Sequence, residues 1–193
     1  DEATVRMKLC HQRTLESDGS KRSLSAFYYM KELHLFDTED WSGEIANLHV
    51  DDGTDLATEF FRLYLDAAAA LHEGSDGAKR STNSAVEAGE RYLASQSKGS
   101  ASWDTHAGTH AQLRIMHLKG WLAEQSGEVV QAENHWRDAV SLESDLSSGF
   151  GPPYPAKPTL EALGEFLLAE GRFDEAESIF RKGLSRTLNR TRT

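Results

Sequence analysis

The chain is short of the features that staple, break or anchor a small fold. It has one cysteine, Cys10, in 193 residues, so neither an internal disulfide nor a thiolate metal cluster can form. That usage fits a cytoplasmic or a periplasmic setting. Prolines number four, and sustained apolar–polar alternation with β-branched enrichment is missing, which argues against a sheet. No apolar run approaches the ~20 residues that a bilayer-spanning helix needs, so no membrane insertion is expected. Basic residues are outnumbered, 21 Lys plus Arg against 31 Asp plus Glu for a net charge of −10. A nucleic-acid binder carries a basic face, so nucleic acid is disfavoured as the main partner. There is no Gly-rich phosphate cradle and no Gly-x-Ser-x-Gly nucleophile elbow. Asp51-Asp52-Gly53-Thr54-Asp55 lacks the ligand alternation and distal Glu of a calcium loop and reads as a turn and helix cap.

What remains is helical. Residues 24–36 form an apolar segment of helix length, and a short helix over 41–48 follows the acidic turn that precedes Trp41. Residues 55–73 carry Leu56, Phe60, Leu63, Tyr64, Ala67, Ala68 and Leu71 at helical spacing. Helices over 78–96, 103–126, 128–144, 159–170 and 173–187 complete the pattern. Residues 147–158, with all four prolines, make a loop in which Phe150 and Tyr154 pack back as a strut. Residues 1–20 hold only a thin apolar set, Met7, Leu9 and Leu15, before Asp18-Gly19-Ser20, and read as the end of a preceding element of a longer protein. The expected class is all-α, a single domain of consecutive antiparallel helix pairs: a degenerate pair over 24–50, a pair over 55–96, and repeats over 103–144 and 159–187. A basic tail, 188–193, ends the sequence given.

The last two pairs repeat. Gly120, Gly127, Ala132, Trp136 and Ala139 recur as Gly164, Gly171, Ala176, Phe180 and Gly183, each 44 residues later. Each position has a physical task. The first Gly lets one helix approach its partner, the second turns the chain in the left-handed region, Ala keeps the helices close, and the aromatic fills the core. Ala139 and Gly183 are expected to face the next repeat.

The pattern resembles the tetratricopeptide repeat, whose period is about 34 residues. The fullest match is LGEFLLAEGRFDEAESIFRKGL, residues 163–184, and the additional ten residues between repeats fall in the Gly-Pro loop. The order of helices resembles the C-terminal part of bacterial tetratricopeptide-repeat proteins. That resemblance implies antiparallel pairs stacked as a right-handed superhelical solenoid with a concave groove, and no catalytic residues and no cofactor. By position it implies that Arg114, His117, Trp121, Glu124, Gln125, Glu161, Glu165, Leu168 and Ala169 line the groove, with Tyr64, Ala68, Leu71 and His72 as weaker candidates. An aromatic anchor beside charged residues suits a protein or peptide partner. No Lys/Asn set of the kind that clamps a C-terminal carboxylate is present.

Histidines give the alternative. His106, His110 and His117 lie near one face of the 103–126 helix, and an i, i+4 pair can bind zinc or copper. The expected function is a non-enzymatic binding scaffold. A metal- or small-molecule-binding helical domain and a structural fragment of a longer repeat protein stand behind it. Asn189-Arg190-Thr191 matches a glycosylation sequon, a three-residue signal of little weight.

Overall fold

The structure, a computed structural model, describes residues 2–17, 20–50, 55–96, 107–146 and 155–186. The described regular structure is all helical: α1 (Glu2–Glu16), α2 (Lys21–Thr38), α3 (Leu56–His72), α4 (Ala78–Gln96), α5 (Ala107–Gln125), α6 (Val129–Ser144), α7 (Thr159–Ala169) and α8 (Phe173–Arg186). The chain divides into two compact units, residues 1–100 and 101–193, where a single domain is expected from sequence. None of the described helices is long and apolar enough to cross a membrane.

In the first unit α1 packs on α2, α2 on α3, and α3 most extensively on α4. Asp55 starts α3, its Oδ2 accepting from both the backbone N–H and the hydroxyl of Thr58. Ala67 and Ala68 of α3 and Ala85 and Ala88 of α4 are buried, and side chains this small let two helices pack closely.

Two stretches differ from their reading in the sequence. Residues 2–16, where the sequence shows only a thin apolar set, form a helix, α1, that packs on α2. Its periodicity is faint because only Met7 and Thr14 are buried, while Val5, Leu9 and Leu15 are exposed. The pair expected over 24–50 is not formed, because 41–48 is a run of bends and turns. Side chains supply donors to the backbone oxygens of this segment. Lys31 Nζ donates to the carbonyls of Ala46 and Leu48 at 2.7 and 2.9 Å, and the Tyr28 hydroxyl donates to that of Val50 at 2.9 Å. Asn47 donates its side-chain amide to the carbonyls of Ser42 and Gly43. Trp41, Ile45 and Val50 are buried, and the Trp41 ring stacks on His72 at 4.3 Å. The segment is a strap held by its side chains.

In the second unit α5 packs on α6, α6 on α7, and α7 on α8. The 44-residue repeat acquires its geometry here. A Cβ at Gly120 would lie 2.7 Å from the Trp136 ring, and one at Gly164 2.5 Å from the Phe180 ring. Gly127 and Gly171 both turn the chain with positive φ, 72° and 74°. Ala132, Trp136, Ala162, Leu163, Phe166, Leu167 and Ala176 share one core, with Val140 and Phe180 packed against it. Gly183 faces its own pair. Its Cβ position points at Leu160 Cβ of its own partner helix, 3.6 Å away. An ion-pair cluster ties α6 to the α7–α8 turn: Arg172 holds Glu133 at 2.7 Å and Glu175 through two bonds of 2.7 Å, and Arg137 pairs with Glu133 at 2.6 Å.

Candidate functional site

The residues expected in a groove come from α5 and α7, and the structure divides them. Arg114, His117 and Glu161 are buried, with His117 only 1% exposed. They belong to the interior, which corrects their assignment to an open face. The same holds for Tyr64, Ala68 and Leu71 in the first unit. Trp121 and Glu124 are half-buried; Gln125, Glu165, Leu168 and Ala169 are exposed.

The buried set joins α5 to α7. His117 Nε2 lies 2.8 Å from the Thr159 hydroxyl. The imidazole packs against the rings of Trp121 and Trp136, both 5.5 Å away. Burial, with Arg114 and Lys157 as neighbouring cations, pushes its pKa down to about 3, so it stays neutral. Hydroxyl and imidazole are paired as in an activated nucleophile, but Thr159 is 0% exposed and so weakly basic an imidazole is a poor proton acceptor. The pair is a structural pin. It also removes His117 from the histidine face. His110 is half-buried on the first turn of α5, and His106 lies outside the described residues, as do the strut residues Phe150 and Tyr154 and the tail 188–193. Among the described residues no three His, Cys, Asp or Glu side chains gather as a metal-holding group.

Sequence reasoning missed two residues of this region. Lys157, at the end of the proline loop, is 7% exposed and reaches Glu161 Oε1 at 3.0 Å and Glu165 Oε1 at 2.6 Å. Glu143 of α6 accepts from the Thr159 backbone N–H at 2.7 Å and so caps α7, whose own N-cap, Pro158, has no capping side chain. The Pro-Thr start of α7 is the only hint of this in the sequence, and it names no partner.

At the other end of α5, the Trp136 indole N–H donates to Glu124 Oε1. Burial raises the Glu124 carboxyl to about 7; the Trp136 bond opposes this, and repulsion from Glu165 and Glu170 adds to it. The Trp121 ring lies 5.6 Å from that of Trp136. The surface here therefore sets an aromatic edge near the Glu124 carboxyl, which Glu170 and the Lys157-paired Glu165 repel. Leu168, by contrast, belongs elsewhere: it lines an apolar groove on α7 and α8 together with Phe173, Phe180 and Leu184.

No protein-family model, no curated protein and no solved structure matches the chain.

Proposed function

We propose that the chain is a non-enzymatic binding module of tetratricopeptide-like helix pairs, and that its second unit takes a basic peptide segment along α5 and α7. The repeat reading is supported by the matched Gly–aromatic contacts and the matched positive-φ glycines of the two pairs. The observation that carries the binding reading is the Glu124 carboxyl, repelled by Glu165 and Glu170 and bonded to Trp136, whose ring meets that of the half-buried Trp121. A ligand cation placed there relieves the repulsion and meets an aromatic face, a contact worth roughly 0.5–2 kcal/mol. Gln125 is exposed one position beyond Glu124 and can hydrogen-bond a peptide backbone. The buried His117–Thr159 pin ties α5 to α7, and Lys157 holds Glu161 and Glu165 at the start of α7, so the surface is formed before the ligand arrives.

The test is titration of the full chain with a fluorescein-labelled Arg/Lys-rich peptide and with its Glu-substituted counterpart, followed by anisotropy. Saturable binding of the basic peptide alone, weakened tenfold or more by Glu165→Lys in an equally helical protein, supports the reading. Equal binding of both peptides, or indifference to Glu165→Lys, overturns it.

A further inference from the structure

The second unit presents one apolar face that its own repeat explains. Leu168, Phe173, Ala176, Phe180 and Leu184 line an open groove of about 410 Å³ on α7 and α8. Leu168, Phe173 and Leu184 are 50%, 65% and 43% exposed. One repeat earlier, the matching positions include Val129, Ala132, Trp136 and Val140. There, Trp136 is fully buried. Besides α5, which meets it through Gly120, His117 and Trp121, Trp136 shares its core with Ala162, Leu163, Phe166 and Leu167 of α7. Phe180 stands where Trp136 stands but is only half-buried.

The charges repeat as well. On α6, Glu133 pairs with Arg137 four residues on and still receives Arg172 from the turn after α7. On α8, Glu177 pairs with Arg181 in the same way, at 2.7 Å. The position that corresponds to Arg172 falls outside the sequence given. Face and charge together describe what fits: a helix with an Ala-Leu-x-x-Phe-Leu stripe, with an arginine five residues after the stripe ends.

We infer that the α7–α8 groove is a docking site for an amphipathic helix of a partner polypeptide that carries this α7-like stripe and a trailing arginine. The residues 187–193 are no substitute, since TLNRTRT holds a single large apolar side chain, Leu188. The mode is helix-in-groove recognition, in which apolar anchors at i, i+1, i+4 and i+5 enter the groove and a rim charge fixes direction. This site is separate from the acidic surface proposed above, and either can fail without the other.

The unit supplies its own probe. A peptide with the sequence of residues 158–172, PTLEALGEFLLAEGR, is made helical by a cross-link between positions 161 and 165, which lie off the apolar stripe, and its helicity is confirmed by circular dichroism. Its binding to the full chain is read by anisotropy. Expected is saturable one-to-one binding that falls tenfold or more with Leu184→Glu in the protein, and likewise with Phe166→Ala in the peptide. Glu177→Lys in the protein weakens it severalfold, and Arg172→Glu in the peptide restores it. No binding by the helical peptide, or binding insensitive to Leu184→Glu, overturns the inference. Two further results overturn it in favour of other occupants. A concentration-dependent dimer that Leu184→Glu dissociates assigns the groove to a second copy. Binding that emerges only after removal of 187–193 assigns it to the chain's own tail.

Discussion

Alanine at Gly120 and alanine at Gly164 place the same methyl group at equivalent points of two repeats, and they should have unequal consequences. A Cβ at Gly120 meets Trp136 Cε2 and Cζ2 at 2.7 Å; one at Gly164 meets Phe180 Cε1 at 2.5 Å and Cζ at 2.7 Å. Carbon atoms settle about 3.5–4.0 Å apart, so in both cases the ring must move by roughly an ångström. By distance alone Gly164 is the tighter site. The rings differ in where they can go. Trp136 is 0% exposed, touches the rings of His117 and Trp121, and donates its indole N–H to Glu124. Phe180 is half-buried, has no polar atom to lose, and borders the open groove. Either substitution gains about 1 kcal/mol of helix propensity. Overpacking at Trp136 costs about 1–3 kcal/mol. Disturbing a hydrogen bond to a carboxyl costs about 1–3 kcal/mol more. Gly120→Ala is therefore expected to destabilise by about 2–3 kcal/mol, and Gly164→Ala to stay within about 1 kcal/mol of wild type. Urea unfolding at fixed pH, followed by far-UV circular dichroism and tryptophan fluorescence, measures both. A Gly164→Ala variant that loses as much as Gly120→Ala would refute the argument, because it would mean that Phe180 is as confined as Trp136.

Two buried groups give stability a pH dependence. The Glu124 carboxyl is raised from 4.5 to about 7, so the folded chain keeps a proton that the unfolded chain releases, and stability is lost as pH rises from 4.5 to 7. The shift corresponds to roughly 3 kcal/mol, reduced to about 1–2 kcal/mol by partial exposure. His117 acts oppositely: lowered from 6.5 to about 3, it contributes stability that is fully present above 6.5 and lost as pH falls toward 3. Between pH 4.5 and 6.5 the two slopes oppose each other, so Glu124→Gln should turn a nearly flat stretch of the profile into a rise while leaving the limb below pH 4.5, as read by urea midpoints across the range; an unchanged profile would deny Glu124 its raised value. In the first unit, burial lowers Lys31 from 10.5 to about 8, with Asp66 opposing and Arg62 adding to the shift. The unfolded chain then binds the extra proton between those values, so stability should rise across pH 8–10.5 by on the order of 3 kcal/mol. Lys31→Met should remove that rise, and it should speed amide exchange over residues 45–50, since it strips the carbonyls of Ala46 and Leu48 of their donor. Unchanged exchange there would show that the strap does not depend on the ammonium group.

Seven of the eight described helices were legible to within a few residues, because each carries either an apolar stripe or a Gly, Ser or Asp boundary signal. The α3 helix has both, in Phe60, Tyr64, Ala67, Ala68 and Leu71 and in the Asp55 cap. The first helix was not legible, because only two of its residues are buried and the remaining periodicity is polar. The short helix expected after Trp41 failed for the opposite reason. Its apolar residues are indeed buried, but burial there is achieved by a strap whose backbone is satisfied from Lys31 and Tyr28, residues 15–22 positions away.

The candidate surface divides along the same line. The tetratricopeptide resemblance implied that Trp121, Glu124 and Glu165 share one surface, whereas a helix's period by itself relates only Trp121 and Glu124 on α5. The resemblance placed Arg114, His117 and Glu161 there too, although all three are buried. Which side of α5 faces water is set by where α7 lies, and α7 is positioned by groups that no period encodes: Lys157 from the loop, Glu143 from α6, and Thr159 against His117. The sequence by itself determined the all-helical class and the 44-residue equivalence, because both follow from local backbone preference and side-chain size. The tertiary structure alone decided which polar groups are sealed and which are offered to a partner, because solvation depends on neighbours far away in the chain.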